Sequence, residues 1–199
     1  MKHLKTGDKA PDFSTHDHNG NPINLTDFKG NKVVLYFYPK DNTPGCTAQA
    51  CNLTDNYDSL LSNGYKVLGV SADSAKSHQK FAEKYDLPFP LLMDEEKTII
   101  KDYGVWGEKK FMGKVYDGIH RMTFVIDENG NILSKYFTSV AVFPNTFLDK
   151  LGAIKVFSEL RRKRFDSSLK DYVKSAPVRE LCRVFANKFG FQSLTKKYI

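Results

Sequence analysis

Three cysteines are the residues in this 199-residue chain best able to do chemistry that a simple polar surface cannot: Cys46, Cys51 and Cys182. Cys46 follows Lys40-Asp41-Asn42-Thr43-Pro44-Gly45, a run of turn formers, and precedes a stretch with few helix breakers in which Ala50, Leu53, Tyr57 and Leu60/Leu61 recur at helical intervals. That order predicts a helix with Cys46 in its first turn. Backbone N–H groups there lack intrahelical partners and the helix dipole is positive, so a thiolate is stabilised. An ordinary cysteine titrates near ~8.5, and such a setting lowers this to roughly 3.5–7.5, which makes it a nucleophile at neutral pH. A buried, inert cysteine is the blander reading, and the loop-to-helix placement argues against it.

The elements that must position such a thiolate are legible around it. Val33-Val34-Leu35-Tyr36-Phe37-Tyr38 is a continuous apolar run that reads as a buried strand, ended by Pro39. Before it, a short strand over Phe13–His16, a turn at Asn19-Gly20 and a returning strand at Ile23-Asn24-Leu25 suggest a hairpin. After the first helix, expected to run to about Leu61, Lys66–Ser71 reads as a second buried strand and Asp73–Tyr85 as a helix. Pro88–Met93 is irregular to extended, and Glu95–Tyr103 forms a short helix with Ile99, Ile100 and Tyr103 inward. Lys109–Asp117 reads as a basic, glycine-containing loop, followed by a strand over His120–Ile126, a turn, and an antiparallel partner over Asn131–Phe137. Helices alternating with strands and closing on a hairpin imply an α/β domain with a mixed sheet.

Composition narrows the class. Hydrophobic residues make up 41% of the chain, enough for a core, and no stretch approaches the roughly 18 apolar residues of a membrane span. The start, MKHLKTGDKAPDF, has no apolar leader-like segment. Three cysteines do not make a disulfide scaffold, so reduced thiols and a cytoplasmic location are expected. His3, His16 and His18 lack ligand spacing and read as solvated surface, and His78 reads as helix surface, so no metal is expected. The formal charge of +7 is uneven: residues 1–133 hold 16 Lys/Arg against 18 Asp/Glu, and residues 134–199 hold 14 against 5.

The spacing Pro39-x-x-x-Thr43-x-x-Cys46 resembles the active-site signature of peroxiredoxins, and YPKDNTPGCTAQAC resembles their bacterioferritin-comigratory, or Q-type, branch. The resemblance extends through GDKAPDF (7–13), residues 67–94 and residues 103–132. It implies a thioredoxin-like fold over 1–138, with a central mixed sheet flanked by helices, and a thiol-dependent peroxidase acting on hydrogen peroxide and small organic hydroperoxides without a cofactor. It further implies Cys46 as the peroxidatic cysteine, Cys51 as the resolving cysteine, Thr43 as a hydroxyl that donates and accepts at the site beside the Gly45 and Cys46 N–H groups, Pro39 as shaping and shielding the pocket, and Arg121, in GIHRMTF, as the site arginine. A thioredoxin or similar dithiol is the implied reductant, and a monomer the implied state. Gln49 stands where relatives often have Glu, so it can meet Arg121 as a neutral acceptor and not as an ion-pair partner; Thr54 stands where they often have Arg.

Five residues along a helix amount to ~500° and a rise of ~7.5 Å. A disulfide needs Cα atoms usually within ~6.8 Å, so joining Cys46 to Cys51 requires the helix to unwind locally.

Residues 139–199 form a basic extension outside the resemblance. Phe147, Leu151, Ile154, Phe157 and Leu160 suggest one amphipathic helix, leading to Arg161-Arg162-Lys163-Arg164. Val178, Leu181, Phe185 and Phe189 suggest a second, with Cys182 on its apolar side. The charge run reads as a solvated helix end. The alternative is a weakly catalytic domain that binds nucleic acid or an anionic surface through this tail. A thiol–disulfide oxidoreductase is the other competing class, and the Cys-x-x-Cys it needs is absent.

Overall fold

The computed structural model describes residues 4–111 and 113–137. The amphipathic helices expected after residue 139, the Arg161–Arg164 run, Cys182, His3 and the boundary at 138/139 lie outside the described residues.

A five-stranded mixed sheet positions everything else. Its order is β5 (Leu91–Met93), β4 (Tyr65–Ser71), β3 (Lys32–Phe37), β8 (Met122–Ile126) and β9 (Ile132–Phe137). β3 is central because its side chains are apolar on both faces, so it is stable only where both are covered. It runs parallel to β4 and antiparallel to β8. Val34, Tyr36 and Tyr38 face α1 (Pro44–Asp55), α2 (Tyr57–Ser62) and α3 (Ala75–Lys84), with Cys46, Ala50, Leu53, Leu60 and Phe81 in the same core. Val33, Leu35 and Phe37 face the other way, onto α4 (Thr98–Asp102) through Ile99 and Ile100, and onto Tyr103 and Leu25. A small hairpin of β1 (Ser14–His16) and β2 (Pro22–Asn24) precedes the sheet, with a 3-10 turn over Leu25–Phe28.

Three expectations need correction. The helix read as continuous to Leu61 breaks at Asn56, whose backbone leaves the helical region (φ −108°, ψ 7°) and whose amide nitrogen bonds back to the Asn52 carbonyl. Asparagine side chains compete in this way with the helical ladder.

The basic loop at Lys109–Asp117 is instead an antiparallel ribbon, β6 (Trp106–Phe111) with β7 (Lys114–Ile119). Its charges and glycines mimic a loop in sequence, and pairing between the two backbones defines it.

His78 is not on the helix surface. It is fully buried on the sheet-facing side of α3, where an imidazole is tolerated because a carboxylate meets it.

Tyr103, expected to face inward, is in the core and donates its hydroxyl to the Pro11 carbonyl.

Candidate active site

β3 ends at Phe37, and the chain turns through Pro39–Asn42 before α1 begins. Thr43 is the N-cap residue with extended backbone, and Pro44 occupies the first helical position, where its missing N–H costs nothing. Gly45 and Cys46 are then the second and third residues of the helix. The first intrahelical bond runs from the Thr47 N–H to the Thr43 carbonyl, 2.9 Å, so the Gly45 and Cys46 N–H groups precede the ladder. Thr43 supplies no side-chain cap to them. Its hydroxyl donates to the Lys40 carbonyl at 3.0 Å, which commits the proton and leaves the oxygen lone pairs as acceptors. Pro39 is half-buried beside the turn.

Cys46 is 2% exposed. Arg121 reaches it from across the sheet: Nη2 donates to Cys46 Sγ at 3.2 Å, and Nη1 donates to Gln49 Oε1 at 2.5 Å. The sheet explains the approach, since Phe37 pairs with Met122 and so the residue before β8 arrives beside the turn that follows β3. Gln49 stands one turn along α1 from Cys46 on the same face and is buried. The guanidinium therefore bridges thiol and amide as a planar fork, a geometry that an ammonium cannot supply. The Gln49–Arg121 bond read from sequence is present, with a neutral amide oxygen as the acceptor. Thr54 instead bonds the Ala50 carbonyl within α1.

Cys51 is part of the same unbroken helix and is half-buried, and both cysteines are free thiols. Burial, and then the charge of Asp55 one turn on, push the Cys51 thiol up. In the folded helix the second thiol is thus held protonated and apart from the first.

Sequence reading missed a buried polar anchor under the turn. Tyr38 Oη donates to Asp41 Oδ1 (2.7 Å), Ser77 Oγ to Asp41 Oδ2 (2.7 Å), and His78 Nδ1 lies 2.9 Å from Asp41 Oδ2. The Asp41 N–H donates to Asp73 Oδ2, which also receives the Ser71 hydroxyl. Burial pushes the Asp41 carboxyl up, but bonds from His78, its charge, and the Ser77 and Tyr38 hydroxyls outweigh this and hold it below the ordinary value. Burial likewise keeps the Tyr38 phenol protonated and able to donate. Ligand atoms of Asp41, Asp73 and His78 lie within 4.8 Å of one another; the bonds just described account for them as a hydrogen-bonded network. The available signal was His78 on the helical stripe shared with Ala75 and Ala82, a polar residue at a core spacing that must find a partner.

The arrangement holds a thiol at a helix N-terminus under a guanidinium, with two N–H groups and a hydroxyl acceptor around it. Such a site can activate a sulfur nucleophile and receive charge on a departing oxygen.

Residues 6–135 match the AhpC/TSA family. Peroxiredoxin Bcp of Escherichia coli strain K12 is 55% identical over 132 residues, covering 66% of this chain and 85% of that protein. Among solved structures, Xanthomonas campestris peroxiredoxin Q superposes with a TM-score of 0.66 at 34% identity, over 71% of this chain and 90% of that one. A structure of the X. campestris bacterioferritin comigratory protein, described for its alkyl peroxide reduction activity, gives a TM-score of 0.65 at 31% identity, over 77% and 99%. The fold these structures share is the thioredoxin-like one expected from the sequence.

Proposed function

The chain belongs to the AhpC/TSA family, within it to the Bcp and Q-type peroxiredoxins, and is a thiol-dependent peroxidase; from that premise we propose that Cys46 is its peroxidatic cysteine and Cys51 its resolving cysteine. The observation that carries this is the bond from Arg121 Nη2 to Cys46 Sγ at 3.2 Å, at the N-terminus of α1. The substrate is hydrogen peroxide or a small organic hydroperoxide; alkyl peroxide reduction by the X. campestris relative supports the second.

In the first step the Cys46 thiolate attacks the outer oxygen of ROOH. A sulfur–oxygen bond forms, the oxygen–oxygen bond breaks, and RO⁻ leaves and is protonated to ROH. Sulfur is oxidised by two electrons to the sulfenic acid, and the peroxide is reduced. Thr43 Oγ accepts the hydrogen of the attacked oxygen. Arg121 and the Gly45 and Cys46 N–H groups donate to oxygens gaining charge. Pro39 keeps the pocket narrow.

In the second step α1 unwinds between the two cysteines, because the intact helix keeps them too far apart to bond. Unwinding also removes what holds the Cys51 thiol up, its burial and the helical proximity of Asp55. Cys51 becomes easier to deprotonate as it becomes free to move. It attacks the sulfenic sulfur, a disulfide forms, and the displaced hydroxide leaves as water after taking a proton. A thioredoxin-like dithiol then reduces the disulfide by exchange. Because both thiols belong to one helix, the cycle needs a single chain, and a monomer in a reducing cytoplasm is the setting we propose.

Intact-mass measurement after one equivalent of hydrogen peroxide tests the assignment. Wild type should lose two hydrogens, Cys51→Ser should gain one oxygen on Cys46, and Cys46→Ser should be inert. Turnover surviving in Cys46→Ser would sink it.

A further inference from the structure

The β6–β7 ribbon carries a half-buried cation, Lys109, whose ammonium is tied close to the segment that presents Arg121. Lys109 pairs across the ribbon with Tyr116. On a pleated antiparallel pair its other same-face neighbour is the diagonal residue, Gly118, while Glu108 and Asp117 project from the opposite face. Gly118 is not in the left-handed region, so its backbone does not call for glycine. A Cβ at position 118 would lie 3.1 Å from Lys109 Cδ and 3.3 Å from the Tyr116 ring, so the lysine stem would have to give way by a few tenths of an ångström. The lysine stem crosses bare backbone there, and its Nζ donates to the Ile119 carbonyl at 3.0 Å. Ile119 is two residues before Arg121.

Burial, and then the like charge of Arg121, push the half-buried Lys109 ammonium down; the opposing influence is the negative charge of Cys46. The ammonium is held by the Ile119 carbonyl, two residues before the arginine whose Nη2 meets Cys46 Sγ at 3.2 Å, and a thiolate at Cys46 would supply the opposite charge.

We propose that Lys109 is a second cation of the peroxide site, seated across Gly118 and tied to Ile119, which stabilises the Cys46 thiolate through space and steadies the segment that presents Arg121. It is a positioning and electrostatic residue and makes no bond to the sulfur. The inference rests on Cys46 being the reactive cysteine, and on nothing about the resolving step.

The test measures two rates against pH for Cys46: alkylation by iodoacetamide, located by mass spectrometry, and oxidation by hydrogen peroxide. Lys109→Met should move the half-maximal pH of both upward by about half a unit to one unit, and slow both about three- to tenfold below that pH. Lys109→Arg should stay near wild type. Gly118→Ala, which displaces the lysine stem, should shift the profile in the same direction, and adding it to Lys109→Met should have no further effect, as for residues acting through one contact. Raising ionic strength from about 0.05 to 0.5 M should narrow the gap between wild type and Lys109→Met.

A profile that does not move, or a uniform loss at every pH that Lys109→Arg fails to restore, would overturn the inference and leave Lys109 a structural member of the ribbon. If Lys109→Met does not fold, Lys109→Arg, Gly118→Ala and the salt dependence of wild type decide the matter. Alkylation reads the thiolate whether or not peroxide is the substrate, so failure of the peroxidase assignment shows separately, as normal alkylation without peroxide consumption.

Discussion

The imidazole of His78 and the carboxylate of Asp41 meet at 2.9 Å with their side chains 0% and 2% exposed, joining α3 to the turn that delivers Cys46. Asn42, next in the chain, adopts a left-handed backbone (φ 55°) that asparagine accepts more readily than most non-glycine residues and that its neighbours help to fix. Asp41, fixed by three side chains and by its own N–H, holds it from one side. Pro44 and the start of α1 do so from the other.

Removing His78 leaves a buried carboxylate short of a partner. His78→Ala should destabilise the protein by about 2 kcal/mol, the scale for leaving a buried charged acceptor short of a hydrogen bond. His78→Gln, which keeps a donor, should lose less. Denaturant unfolding checks the order, and the peroxide rate constant of His78→Ala should fall as the turn loosens.

Acid should remove the contribution of Asp41 in a predictable window. Its carboxyl titrates below the ordinary value of 3.8 when folded, so the unfolded chain takes up the proton first. The stabilisation is fully present above the unfolded value and is lost as pH falls through the folded one. The melting-temperature gap between wild type and Asp41→Asn should therefore be constant from neutrality down to about pH 5 and shrink below about pH 4. Asp94, whose carboxyl is pushed up by burial against the pull of backbone N–H groups, acts in the opposite sense: its cost is relieved as pH falls, so total stability declines less steeply than Asp41 alone would give.

Arg121 bonds two groups at once, so shape and charge are separable. Arg121→Lys keeps the charge and loses the fork, and should slow peroxide oxidation about tenfold; Arg121→Met loses both and should cost about a hundredfold, the scale of one oxyanion donor. Stopped-flow oxidation kinetics on both variants check this. Equal losses would mean that charge contributes nothing beyond the fork.

Gly69 in β4 is required by packing. A Cβ there would stand 2.7 Å from the Tyr36 ring and hydroxyl and 2.8 Å from Leu91, inside a core with no room to yield. Gly69→Ala should cost about 2 kcal/mol or more, read as a lowered denaturant midpoint. Gly118→Ala, facing a flexible lysine stem, should cost far less, so the pair separates a core glycine from a site glycine.

Local chemistry explains what was legible. An apolar run with β-branched and aromatic residues has few conformations open to it other than a buried strand, and Pro39, Pro44 and Gly45 leave the chain little choice but to turn and enter a helix. β3, the turn, α1 and Cys46 in the first turn followed from residues adjacent in sequence. So did the separation of Cys46 and Cys51, since helix geometry alone keeps them apart.

The remainder depended on partners distant in the chain. Helical spacing placed His78 on α3 and could not say which way it faced, because an imidazole is stable on either side and the outcome rests on a carboxylate 37 residues earlier. The β6–β7 ribbon is fixed by inter-strand backbone pairing that its charged residues do not announce. Arg121 arrives at Cys46 through the β3–β8 register, and Lys109 through a groove that one glycine leaves open. The sequence by itself determined the place of Cys46 in the first turn of α1 and the elements that carry it, because backbone sterics and hydrophobic patterning act over a few residues. Only the tertiary structure decided which polar groups and charges surround that thiol, because a buried charge is stable only where the fold brings it a partner.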